Sequence, residues 1–395
     1  MPLSHGRSYL AIPGPSVMPD RVLSAMHRAA PNIYTGELHE VTAALVPDLK
    51  AVARTRGEVA IYIGNGHAAW EAALANVLSP GETVLIAATG RFGIGWGEMA
   101  AGLKAHVEVI DHGQRAPVDP ARVEAALRAD TAGTIKAVLM CHVDTSSSVL
   151  SDVAAVRAAI DAAGHPALLM VDCIASLACD RFEMDAWGAD VMVAASQKGL
   201  MTPPGLGFVF FNDRAADVQR RAGCVTSYWN WVPRARPEMF HQYFAGTAPT
   251  HHIYGLRAAL DMIAEEGLEQ VWARHEVLAR TIWAAFEAWG ATGPVALNVE
   301  DPAHRSHAVT SVGIGPGNGD RLRGWCERVA GVTLGIGLGR TPADAFFRIG
   351  HMGHVNAHMV LGVLGVVQAG LIALKIPHGD GALDAAAAVI AGAGD

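Results

Sequence analysis

The stretch Ala167-Leu-Leu-Met-Val-Asp-Cys-Ile-Ala-Ser176, continued by Ala189-Asp-Val-Met-Val-Ala-Ala-Ser-Gln-Lys198, decides the fold. Each half opens with an apolar run too short for a helix and closes on polar residues. Runs of this kind, apolar at successive positions, read as strands buried on both faces, the signature of a parallel sheet. The first run delivers Asp172 to its carboxyl end, and the second delivers Lys198 just past its own. The residues around the lysine (Ala194-Ala-Ser-Gln before it, Gly-Leu-Met after it) are small or apolar rather than charged. Such a setting strips water from an amine and lowers its pKa.

Outward from this pair the same alternation continues. Val59–Ile63, Thr83–Ala87, Val107–Ile110, Ala137–Cys141, Ala167–Val171, Val191–Ala194 and Gly207–Phe211 read as seven strands. Helical periods lie between them at His67–Leu78, Pro120–Ala129 and Val153–Ala162, with Asp119 as N-cap and Pro120 at the first helical position. The expectation is an α/β fold: a mostly parallel seven-stranded sheet covered by helices, with the ligand site at the carboxyl ends of the strands. After Pro249 the character changes. A long helical pattern runs from His251 to Glu266 and on to Trp289, followed by the strand-like pieces Ala308–Val312, Val332–Leu334 and Phe346–Ile349. We expect an N-terminal arm (1–19), a large domain (20–264) and a smaller C-terminal α+β domain (265–395).

Composition narrows the function. The chain has 395 residues, 51% of them hydrophobic, with a net charge of −8 and no basic run, so a nucleic-acid partner is not expected. No apolar stretch approaches the ~20 residues needed to span a bilayer. The N-terminus lacks the pattern of a signal peptide. The five cysteines form no CxxC pair, and three of them, in or beside apolar runs, read as reduced core residues, which points to the cytoplasm. His351, His354 and His358 are spaced like helical metal ligands, but Gly353 interrupts them and no carboxylate or cysteine joins them; no metal is expected.

An acid and a lysine at the ends of neighbouring strands are what pyridoxal 5'-phosphate requires. The acid keeps the pyridine nitrogen protonated, and the lysine holds the aldehyde as a Schiff base and later moves a proton. Gly64-Asn-Gly-His67 follows a strand and opens a helix, so Asn65, Gly66 and His67 offer a helix N-terminus to a phosphate. Arg348 stands inside an apolar strand, where a guanidinium gripping a substrate carboxylate or a structural ion pair are the two explanations.

Taken in order, Pro13-Gly-Pro15, Gly64-Asn-Gly-His67, His142-Val-Asp-Thr-Ser146, Asp172, Ser196-Gln-Lys198, Pro203-Pro-Gly205, Thr247 and Arg348-Ile-Gly-His-Met-Gly353 span nearly the whole chain. In these motifs the sequence resembles the class-V, fold-type-I pyridoxal-phosphate aminotransferases of the alanine/serine–glyoxylate branch. The resemblance implies Lys198 and Asp172 as catalytic residues and Asn65, Gly66, His67, Thr145, Ser146 and Gln197 as further cofactor contacts. It implies Phe92 on one face of the pyridine ring, Ile174 on the other, and Arg348 on the substrate carboxylate. Thr247 would reach the phosphate of a neighbouring subunit, so a homodimer with sites at the interface is expected. The implied reaction moves an amino group from a small amino acid such as serine or alanine to glyoxylate or pyruvate.

Two departures bear on the substrate. Pro31-Asn-Ile-Tyr-Thr-Gly-Glu37 stands where close relatives often have a His-Arg-Ser segment, and Arg340 where relatives usually have Glu or Gln. A second arginine favours a substrate with a second anionic group, such as aspartate. Tyr34, Arg340 and the Asp144-Thr145 pair are also similar to pyridoxamine–pyruvate aminotransferase, and Tyr34 and Arg340 join Arg348 as candidate substrate contacts. A lyase or desulfurase of the same fold would want a reactive cysteine in a late loop. Cys326, on a helical pattern beside Trp325, does not offer one.

Overall fold

The computed structural model describes residues 3–393. Its large sheet has seven strands: β1 (Glu58–Gly64), β2 (Thr83–Ala88), β3 (His106–Asp111), β4 (Ile135–Cys141), β5 (Leu168–Asp172), β6 (Val191–Ala195) and β7 (Gly205–Phe211). Their order is β1-β7-β6-β5-β4-β2-β3. Only β7 is reversed; it pairs antiparallel with both β1 and β6, and the other pairs are parallel. Six carboxyl ends therefore share one edge of the sheet, and β7 starts from that same edge. Strands β2, β5 and β6 are buried at every position, as both faces carry helices. One core, including Leu49, Val138, Leu169, Phe208 and Leu256, fills one face. A second, including Trp70, Ile86, Trp96 and Val193, fills the other.

The helix Thr250–Glu266 breaks at Gly267, whose φ is +86°, and continues as Leu268–Trp289. From Leu278 onward this second helix joins a separate core with Val312, Leu322, Phe347 and Leu364. That core lies against a five-stranded sheet ordered Tyr9–Ala11, Val332–Ile336, Phe346–Gly350, Val309–Gly313 and Ala296–Leu297. Its outermost strand comes from the N-terminal arm and pairs parallel with Val332–Leu334. Among the described residues no helix is long and apolar enough to cross a membrane.

Candidate active site

The register of the central strands sets the site. Cys141 is opposite Asp172, and Asp172 opposite Val193, so the last residue of β5 lies between the ends of β4 and β6. The chain leaving β6 turns through Ser196–Gly199, and the Ser196 hydroxyl ties that turn to the Pro203 carbonyl at 2.7 Å. Lys198 emerges from this turn toward the edge. Asp172, Lys198, Asn65, Gly66, His67, Trp70, Phe92, Thr145, Ile174 and Gln197 line one cavity of about 210 Å³.

Asp172 is 3% exposed. Its Oδ1 accepts from the Ile174 amide at 2.7 Å and its Oδ2 from the Trp70 indole at 3.0 Å. Burial pushes its pKa up to about 7, against the pull of the Ile174 and Trp70 donors. Lys198 lies under the N-terminal arm: its Nζ donates to the Pro13 carbonyl, and the Ser16 hydroxyl donates to the Lys198 carbonyl at 2.8 Å. Burial, helped by the Arg348 charge, brings the amine down to about 8, with Asp172 opposing. Gly14 is required here. Its φ is +92°, and a Cβ would stand 2.5 Å from the lysine Nζ.

The turn after β1 places Asn65 as the N-cap of the helix Gly66–Ala75, its side chain accepting from the His67 and Ala68 amides. Two of the amides a helix start leaves open are thus already occupied. A Cβ on Gly66 would stand 2.5 Å from Ile174 Cδ1, so glycine lets Ile174 close over the cavity. Across from it, Phe92 is held by Asp144, whose Oδ2 accepts from the Phe92 and Gly93 amides at 2.9 and 3.0 Å. Ser146 does not line the cavity. Its hydroxyl donates to Asp144 Oδ1 and accepts from the Arg91 amide, so it holds the Phe92 turn instead. Gln197 has a buried side-chain oxygen without a hydrogen-bond partner, and a turn of this amide would present its NH₂ to an anion.

Arg348 is 6% exposed and is held by main-chain carbonyls, Nε on Ile336 at 2.7 Å and Nη1 on Thr145 at 2.9 Å. No ion pair to it is found among the described residues, which removes the structural ion pair as its explanation. Burial lowers its pKa to about 10, Asp144 opposing. Arg340 lies over the Phe346 ring at 4.6 Å and gives Nη1 to Gln114 Oε1 at 2.5 Å. Its Nε and Nη2 are buried without partners.

Two of the candidate residues line a different recess. Tyr34, 81% exposed, and Thr247 share a recess of about 590 Å³ with Ile33, His39 and Phe240, apart from the lysine cavity. The histidine series is not one helical face: His351 is buried against Thr310, residues 351–356 form a loop, and His358 lies on the helix Ala357–Ala373. Cys326 is buried on the helix Asn318–Ala330, its thiol pushed up to about 12. Trp70 and Asp144 were not among the expected site residues. Trp70 had one local signal, its place one helical turn after Gly66.

An acid, an amine near neutrality, an aromatic and an aliphatic wall and a helix start thus converge on one cavity. This donor set, with the orphaned Gln197 amide, fits pyridoxal phosphate. The family model described as aminotransferase class-V matches residues 8–339. The chain is 36% identical over 385 residues to the serine–glyoxylate aminotransferase of Methylorubrum extorquens, covering 95% of this chain and 94% of that one. It is 34% identical over 375 residues to the L-aspartate–glyoxylate aminotransferase of Paracoccus denitrificans, covering 93% and 91%. Among solved structures it matches the pyridoxamine–pyruvate aminotransferase of Mesorhizobium loti with a TM-score of 0.88 and 26% identity over 98% of each chain.

Proposed function

The chain belongs to the class-V aminotransferase family, and on that premise we propose that it is a pyridoxal-phosphate enzyme of the cytoplasm acting on small amino acids. Serine or alanine gives up its amino group, and glyoxylate or pyruvate receives it in a second half-reaction. The observation that carries this reading is the convergence of Asp172 and Lys198 on one cavity. When bound, the cofactor supplies an aldehyde for amino-group exchange and a ring that accepts electrons. Asp172 holds the proton at the ring nitrogen. Lys198 would anchor the cofactor through its aldehyde and, once the donor's amine has taken its place, would be the base that moves the proton at the donor Cα. Phe92 and Ile174, which both line the cavity, would hold the ring between their side chains. Asn65, Gly66, His67, Thr145 and Gln197 would hold the phosphate, and Arg348 would orient the substrate carboxylate. Thr247 and Tyr34 complete the site of the neighbouring copy in a homodimer, which accounts for their place in an outward-facing recess.

One observation favours a second reading, an acidic donor such as aspartate: two N–H groups of Arg340 are buried and unpartnered. The test is an activity matrix of serine, alanine, aspartate and free pyridoxamine against glyoxylate and pyruvate, together with borohydride labelling of the holoprotein. Serine or alanine with glyoxylate should be fastest, with the label on Lys198. Faster turnover of aspartate selects the second reading; faster turnover of pyridoxamine, or a label on another lysine, overturns both.

A further inference from the structure

Trp70 stands one turn into the helix Gly66–Ala75 and is 1% exposed. Its ring is fixed by aromatic neighbours, stacked on Trp96 with centroids 6.0 Å apart and edge-on to Phe92 at 6.1 Å. Its Nε1 donates to Asp172 Oδ2 at 3.0 Å. Burial of an indole does not by itself impose such a bond in this fold. The indole nitrogens of Trp96, Trp231 and Trp272 are buried without any partner. Of the tryptophans among the described residues, Trp70 is the one that donates to the carboxylate lining the cavity.

We propose that Trp70 is a positioning residue that sets how strongly Asp172 draws the proton from the cofactor's pyridine nitrogen; this rests on the pyridoxal-phosphate reading of the site. A carboxylate that accepts a neutral N–H is a weaker base than one that does not. The single proton shared between ring nitrogen and carboxylate then stays on nitrogen, where it makes the ring an electron acceptor. Without the indole donor the carboxylate draws that proton toward itself, and the ring accepts electrons less well. The other groups facing Asp172 are few. The Asp144 carboxylate raises its pKa and Lys198 lowers it. The Cys141 and Cys173 thiols, pushed well above their ordinary range by burial, stay neutral. His67, on the helix of Trp70, is lowered by burial and by the Arg91 and Lys198 charges. Of the donors to the Asp172 carboxylate, Ile174 gives a main-chain amide and Cys141 a distant thiol at 3.8 Å, so Trp70 is the one a side-chain change removes cleanly.

The experiment reads the protein first without cofactor. In ¹⁵N-indole-labelled protein, the Trp70 indole signal should titrate with Asp172, and Asp172→Asn should abolish that titration. Trp70→Phe should raise the pH at which the Asp172 carboxyl carbon titrates by about one unit. In the holoenzyme Trp70→Phe should lower kcat roughly tenfold and leave KM for the donor within about twofold. Reconstitution with N-methylated pyridoxal phosphate, whose ring nitrogen carries a permanent charge, should erase most of the difference from wild type. An indole signal that ignores Asp172, an unmoved carboxyl titration, or a kcat loss that the methylated cofactor leaves in place overturns the proposal. If Trp70→Phe does not fold, the indole titration of the unsubstituted protein decides. A protein that takes up no pyridoxal phosphate fails the reading of the site itself, an outcome distinct from an unmoved titration in a protein that does.

Discussion

On the function proposed above, Lys198 carries two demands, a nucleophilic amine and a covalent anchor, and neither is a packing role. Lys198→Ala should abolish transamination and leave the fold intact, checked by activity together with near-UV circular dichroism. Burial places the amine near 8, so the fraction in the nucleophilic neutral form rises with pH up to that value and levels off above it. Uptake of pyridoxal phosphate by the cofactor-free protein should therefore accelerate about tenfold between pH 6 and 7 and flatten beyond pH 8, read by stopped-flow absorbance. Arg348→Ala should raise KM for donor and acceptor alike and lower kcat through lost orientation. At Arg340 the donor decides. Arg340→Gln should leave serine and alanine turnover little changed but penalise aspartate by ~2–5 kcal/mol if that is the true donor, because its second carboxylate would lose its partner. Steady-state kinetics with each donor measures both. At this scale Asp172 and Lys198 were legible because each ends a short apolar run, a pattern contained in a few adjacent residues. Trp70 was not, and Asp144 was visible only as part of a motif, since what matters about each is a hydrogen bond to a residue on another strand or loop.

Elements were legible where their periodicity was undisturbed and missed where glycine or proline masked it. The helix Arg91–Gly102 carries Gly93, Gly95 and Gly97, which argue against a helix on propensity alone. The sheet explains them. A Cβ on Gly97 would stand 3.0 Å from Ile86 and 3.3 Å from Val107, and one on Gly93 would stand 3.2 Å from the Ala88 backbone. Close approach to the sheet was chosen over intrinsic helicity. Gly97→Leu should therefore destabilise by roughly 1–3 kcal/mol through overpacking, read as a lower urea midpoint. An unchanged midpoint would show that the helix can move away at no cost. The helix Glu37–Ala53, with Pro47 inside it, and the strand Tyr9–Ala11 were equally hidden. The strand's partner Val332 lies near the far end of the chain, so no local pattern could announce the pairing.

The whole molecule carries an acid liability. His142, His275 and His351 are wholly buried and held neutral, burial bringing each down to about 3. Unfolded histidine protonates near 6.5, so as pH falls below that value the unfolded chain takes up protons the native state refuses. Stability is lost progressively from about pH 6.5 toward 3, at ~1.4 kcal/mol per pH unit for each histidine. Asp172, raised to about 7, works the other way, since between about 7 and 4 the folded state keeps a proton that the unfolded chain releases. Three histidines outweigh it, and the thermal midpoint should fall between pH 7 and 5; a flat or rising midpoint would refute the balance. The N-terminal arm has a consequence of another kind. Residues 9–11 are hydrogen-bonded into the small sheet, while residues 13–16 lie on the lysine turn. One short segment is thus both a flank shielding Val332–Leu334 from pairing with foreign strands and the roof above the Lys198 amine. Cleavage within it would uncover an adhesive sheet edge and flood the amine with water in the same event, so that self-association and loss of function would arrive together.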